Sequence, residues 1–436
     1  MTLLENTKAL LVLVCCLIVP AAVLAETLAV TGGTVHPVSG DAYVGNVVIT
    51  DGVIEAAGPD AQAPADAQII DASGLHVYPG MIDAMSQLGL IEVNAVPATD
   101  DQAEMGLYNP HLEAATAIHP SSELIPVARA NGITHTVVAP QVDDGVIAGQ
   151  AAMVNLDGWT IEEMAIDASV AMVIKWPEIA TRRFDFATFS VKETPFKEAK
   201  EKAEEKQKEL REWFEAARHY QQAVDAGSTR FEADLKLAAL AGCLEGEKPV
   251  IFAADSKRDI EAAMEFAESL GLRMILAGGR DAWEVKEMLA EKGIPVVLGI
   301  VQSLPREDDD PYDLPFSNPG QLAEAGVKIA FASGAGGGFG PGGPHSSRTT
   351  PYEAATAVAF GLSEDDAIKA LTLWPAEIFG VEDRLGSIET GKIGNLIVTD
   401  GNPLEITTQV INLVIDGREI STDNMHRSLY EKYRGR

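Results

Sequence analysis

The chain reads as an α/β protein: a (β/α)8 TIM-like barrel with a small β-sandwich domain built from both termini. Three observations predict this. Turn-punctuated β segments occupy both ends of the sequence. Between them, short apolar runs alternate with amphipathic helical patterns over about 300 residues, as repeated β/α units do. Neither β-rich end carries enough strands to bury two faces alone, so the two ends must meet.

The elements follow in chain order. Lys8 precedes an apolar run over 9–24, and Val23-Leu24-Ala25 offers small residues before Glu26. Residues 1–25 therefore read as a secretory signal peptide and the protein as exported, to the periplasm or beyond. The run is short for a bilayer span and Pro20 interrupts it, so no stable membrane span is expected after cleavage. Of the three cysteines only Cys243 then remains, which excludes an internal disulfide and a cysteine metal site. Residues 26–78 form the first part of the sandwich. There Asp51-Gly52 joins two β-branched runs, a hairpin signature because a type I′ turn needs positive φ at both centres.

Residues 79–385 form the barrel. Candidate strands lie at 77–84, 135–139, 171–175, 250–253, 273–277, 295–299 and 328–333. Candidate helices lie at 122–130, 259–270, 282–292, 319–325, 350–361 and 364–373. A highly charged helix over 195–225, carrying Trp213 and Phe214, reads as a solvated helix with one face on the barrel. A doubly wound sheet is the competing architecture, and no Gly-x-Gly-x-x-Gly follows an early strand to support it. Residues 386–422 complete the sandwich, with Asp400-Gly401 and Asp416-Gly417 as turns, and 423–436 form a tail.

A net charge of −32 excludes nucleic acid and anionic membrane as partners, since both demand positive surface. A small-molecule ligand remains open.

The entry to the barrel is Pro79-Gly80-Met81-Ile82-Asp83-Ala84-Met85-Ser86-Gln87. The later runs are Trp374-Pro375-Ala376-Glu377-Ile378-Phe379-Gly380, Gly386-Ser387-Ile388-Glu389-Thr390-Gly391-Lys392 and Val414-Ile415-Asp416-Gly417-Arg418. In these segments the chain resembles the amidohydrolase superfamily, specifically its imidazolonepropionase-like group. The resemblance implies hydrolysis of amide or other C–N bonds by water on a divalent metal such as zinc. It further implies ligands from strand ends: two histidines on the first strand, histidines on the fifth and sixth, and an aspartate after the eighth. The fourth strand often adds a carboxylated lysine or an acid.

At those places this chain carries other residues. Met85 and Gln87 stand for the first-strand pair, Ala253 or Asp255 for the fifth, Ala277-Gly278-Gly279 end the sixth, and Gly334 follows the eighth. A catalytic zinc needs about three protein ligands, so no cofactor is expected and catalytic residues stay unassigned. The pocket candidates are Met85, Gln87, Asp255, Glu307, Asp308 and Gly334. Two further readings rest on single residues. His111, His119 and His345 would have to converge to rebuild a metal site, whereas loop histidines are ordinarily surface residues. Lys175 could stand for the carboxylated lysine, against an ordinary exposed lysine. The glycine-rich 333–343 loop reads as a lid or irregular loop, and the acidic 306–313 segment as a solvated one.

The function expected is thus a non-hydrolytic ligand-binding or partner subunit, a pseudoenzyme in hetero-oligomer with an active amidohydrolase homologue. The alternative is an active amide hydrolase with a rearranged or metal-free site.

Overall fold

The computed structural model describes residues 27–142, 145–185, 190–227, 232–305, 309–335 and 343–436. The segment expected to be a signal peptide, Glu307, Asp308 and most of the glycine-rich loop lie outside the described residues. No helix among the described residues is long and apolar enough to cross a membrane.

Strands from the two ends share one sheet. Its order is Arg418–Ile420, Val410–Ile415, Leu396–Thr399, His76–Pro79, Thr27–Val35, Tyr43–Thr50 and Val53–Gly58. Thr27–Val35 pairs with Gln68–Asp71 along its first half and with His76–Pro79 near its end, so the sheet branches there. The arms close over a shared core in which Leu28, Val47, Ile49 and Ile54 meet Leu396, Val398 and Val414. Asp51 (φ 49°) and Asp416 (φ 52°) take the left-handed conformation that a type I′ turn demands of its first centre, each followed by a positive-φ glycine.

The barrel comprises eight strands: Met81–Ser86, Ile133–Val138, Ile147–Asn155, Ala165–Lys175, Val250–Ala254, Met274–Gly278, Val296–Leu298 and Ile329–Phe331. The last returns to the first, where the Gly334 amide donates to the Met85 carbonyl at 2.8 Å. Alternate residues separate two cores. Ile82, Val137, Met153, Val173, Ile251, Ile275, Val297 and Ala330 fill the inside. Met81, Ile133, Met172, Phe252, Leu276 and Phe331 face the surrounding helices. The segment Ala376–Leu385 also joins the inner core and stops the end away from the strand C-termini.

The sequence marked seven of these strands; the third is new. It runs antiparallel to both neighbours. The reason lies in chain length: only residues 139–146 separate it from the second strand, and a parallel return needs a crossover of a dozen or more residues. The candidate strand 77–84 divides at Gly80 into a sandwich strand and a barrel strand. A Cβ at Gly80 would lie 2.1 Å from the Thr134 hydroxyl, so only glycine fits where the chain passes between the two units.

The charged helix Phe196–Asp225 packs by one seam, with Ala199, Ala203, Leu210, Phe214 and Ala217 buried. Phe214 stacks edge-on against Phe266, and Trp213 packs on Tyr108.

Candidate functional site

Chemistry in a β/α barrel sits at the strand C-termini, and these ends are occupied as follows. Met85 joins the inner core at 4 % exposure. Gln87, just past the same strand, is 2 % exposed, and its Nε2 has no hydrogen-bond partner. Gly334 lies directly against it: a Cβ built on Gly334 would stand 2.6 Å from Gln87 Oε1 and 2.7 Å from Nε2. Two of the predicted site residues are therefore brought together. The Gln87 amide fills the space that a side chain at 334 would need.

Lys175 ends the fourth strand in register with Ala253, which pairs in turn with Ala277, and Ala277 with Val297. It shares the alternation of Ala171 and Val173, both in the inner core. The expectation of an ordinary exposed lysine is corrected: Lys175 is half-buried on the inward row, beside the small side chain of Ala253.

Asp255 serves the turn after the sixth strand. Its Oδ1 accepts the Arg280 amide at 3.3 Å and its carbonyl accepts the Asp281 amide at 3.0 Å. Gly278 (φ 87°) keeps room for that carboxylate, since a Cβ there would lie 2.6 Å from Asp255 Oδ1. Glu307 and Asp308 are outside the described residues, so their approach to Asp255 is not part of the site as built. The histidines do not assemble. His119 and His345 are exposed, and His111 is half-buried with Nδ1 unpartnered. Among the described residues no three His, Cys, Asp or Glu side chains are grouped to hold a metal ion.

The residue that sequence reasoning missed is Asp83. It is wholly buried on the first barrel strand. Its Oδ2 meets the Ser333 hydroxyl at 2.6 Å, and its Oδ1 accepts the Ser333 amide at 3.0 Å and the Met85 amide at 3.4 Å. Burial pushes its carboxyl up to about 6, with the Ser333 hydrogen bonds acting against that rise. Asp83 thus clasps the first strand to the eighth directly beneath Gln87 and Gly334. A lone acid inside the apolar run Met81-Ile82-Asp83-Ala84-Met85 was the available signal.

The metal fit can be judged from donor chemistry. The strand ends offer a thioether, a neutral amide, an ammonium, two methyl groups and a glycine, and the two carboxylates nearby are engaged elsewhere, Asp83 by Ser333 and Asp255 by the Arg280 amide. These do not fit a catalytic zinc, which takes imidazole, thiolate or carboxylate ligands.

A nearly closed barrel with a buried polar seam at its mouth, joined to a sheet made from both chain ends, defines a composite β/α barrel. The chain is similar to the amidohydrolase superfamily, in sequence over its C-terminal quarter and in fold over most of its length. The profile of the amidohydrolase family matches residues 318–421. The crystal structure of an amidohydrolase from Thermotoga maritima is similar at TM-score 0.78 and 27 % identity, covering 90 % of this chain and 99 % of that one. Phenylurea hydrolase B shares the fold at TM-score 0.52 and 14 % identity, over 91 % of this chain and 97 % of that one. The amidohydrolase tasK of Hapsidospora irregularis is 22 % identical over 399 residues, or 86 % of this chain. The chain spans only 40 % of that relative's length. N-acetylglucosamine-6-phosphate deacetylase of Haemophilus influenzae is 45 % identical over 53 residues, 12 % of this chain and 13 % of that protein.

Proposed function

We propose that this is an exported amidohydrolase-superfamily protein that has given up metal-dependent C–N hydrolysis and binds a small molecule at its barrel mouth. It does so alone or as the partner subunit of an active relative. The observation that carries the reading is the contact between Gln87 and Gly334. A neutral amide and a glycine occupy two places where the superfamily resemblance implies metal ligands, and the two replacements fit each other sterically. The unpartnered Gln87 Nε2 supports a ligand with a hydrogen-bond acceptor, because an unmet buried donor costs about 1–3 kcal/mol until something accepts from it. Elemental analysis of the purified mature protein tests this. Zinc, iron or manganese at one equivalent would overturn it, and substoichiometric metal is expected. N-terminal sequencing of exported material should begin at Glu26, and affinity purification from the native source tests for the active relative.

A second reading is supported by Lys175. An amine on the inward row beside Ala253 supports an amide hydrolase with a rearranged or metal-free site. That reading requires turnover of an amide panel that Lys175→Met abolishes. Turnover unchanged by that substitution would remove Lys175 from consideration.

A further inference from the structure

We infer that the chain carries a second binding site, for a small carboxylate or phosphate anion, on the face of the barrel opposite the mouth. A cavity of about 320 Å³ opens there beneath the N-terminal ends of the fourth, fifth and sixth strands, roofed by the helix Leu235–Leu244 and by Phe379-Gly380. Its volume is at the small end of small-molecule sites.

The wall chemistry is specific. Lys248 reaches into the cavity side and donates its ammonium to Gln150 Oε1 and to the Ser169 hydroxyl, both neutral acceptors. Gln150 is itself fixed, its Nε2 donating to the Pro110 carbonyl at 3.1 Å. Across the cavity stands Arg273, whose carbonyl accepts the Val250 amide at 2.8 Å and whose side chain has no hydrogen bond or ion pair among the described residues. Gly380 (φ 70°) borders the same cavity beside the Arg273 guanidinium.

Two cations share this cavity with two carboxylates, Asp167 and Glu247, and among the described residues neither cation is ion-paired, so both keep donors for an added anion. A fixed ammonium, a hydroxyl and an unclaimed guanidinium fork are the groups that hold carboxylates and phosphates. Asp167 and Glu247 also line the cavity, and neither comes within ion-pair distance of Lys248 or Arg273. Asp167 instead accepts the Ser169 amide at 2.8 Å. Their charge weakens the site and makes its occupancy steeply dependent on salt.

The site is independent of the mouth. Binding of radiolabelled inorganic phosphate and of succinate is measured by equilibrium dialysis of the full chain at fixed ionic strength, with chloride as the balancing salt. Saturable binding of one equivalent of either probe is expected, and which probe binds distinguishes the two sources of anion. Arg273→Gln, an exposed position that leaves the core untouched, should weaken binding at least fivefold, and Lys248→Met with Arg273→Gln should abolish it. Lys197→Gln, exposed on the charged helix and outside both sites, should bind as the parent does. No saturable binding of either probe, undiminished binding by Arg273→Gln, or loss of binding in Lys197→Gln would each overturn the inference.

Discussion

Asp83 gives a sharp prediction, because its burial and its partners fix both the sign and the size of an effect. A carboxyl held at about 6 in the folded chain, against an ordinary 3.8, keeps its proton where the unfolded chain has lost it. Its contribution is therefore fully present below pH 3.8 and declines as pH rises, levelling off above pH 6. The whole swing is about 3 kcal/mol, at 1.36 kcal/mol for each pKa unit. About half of it, near 1.4 kcal/mol, falls between pH 5 and pH 8.

Asp83→Asn reproduces the hydrogen-bond pattern of the protonated acid. Its Oδ1 can accept the Ser333 amide and its Nδ2 can donate to the Ser333 hydroxyl, yet it cannot ionise. Many other carboxylates also titrate in so acidic a chain, so the informative quantity is the difference between parent and variant. Urea unfolding of both proteins at pH 5 and pH 8 should show the variant gaining about 1.4 kcal/mol on the parent over that interval. Parallel pH profiles would refute the argument that the buried clasp holds a proton.

Four further outcomes follow from particular contacts. Gln87→Met removes the unpartnered buried donor at similar volume and should raise stability by about 1 kcal/mol in urea titrations, while eliminating any ligand that accepts from Nε2. Asp157→Ala strips the partner from Arg129, whose guanidinium is 2.8 Å from Asp157 and mostly buried, and should cost about 3 kcal/mol in the same assay. Gly417→Ala places a Cβ 2.8 Å from the Gly52 Cα at a φ of 73°, and should lower stability by about 2 kcal/mol or more in thermal melts. Cys243 is fully buried and its thiol is pushed up to about 12 by that burial, so Ellman's reagent should label it only on unfolding.

The sequence made the architecture legible wherever local chemistry and global role agreed. Asp51-Gly52 and Asp416-Gly417 are turns because glycine and aspartate tolerate positive φ, and that preference is written in two letters. The seven marked strands are apolar runs bounded by breakers. The unmarked third strand, Ile147–Asn155, is buried along its whole length and rich in alanine, so it shows neither alternation nor β-branched density. The site was legible as a set of positions and opaque as a geometry. Met85, Gln87 and Gly334 could be named from the barrel entry and the last strand. That Gln87 rests on Gly334 depends on barrel closure, which joins residues nearly 250 positions apart. Lys175 shows the same limit: its inward direction follows from register with Ala253, and a one-residue slip would have turned it outward.

The shared sheet has a temporal side. His76–Pro79 lies between Thr27–Val35, made early in synthesis, and Leu396–Thr399, made near the end. Until the last strands arrive, one edge of His76–Pro79 displays unpaired amides and carbonyls, and Val77, wholly buried in the finished protein, lacks part of its cover. A chain cut short before residue 396 would keep every barrel strand and still expose a sticky edge. The strands from residue 396 onward thus cap the β template laid down by residues 27–79, and only a chain that reaches them can retire it.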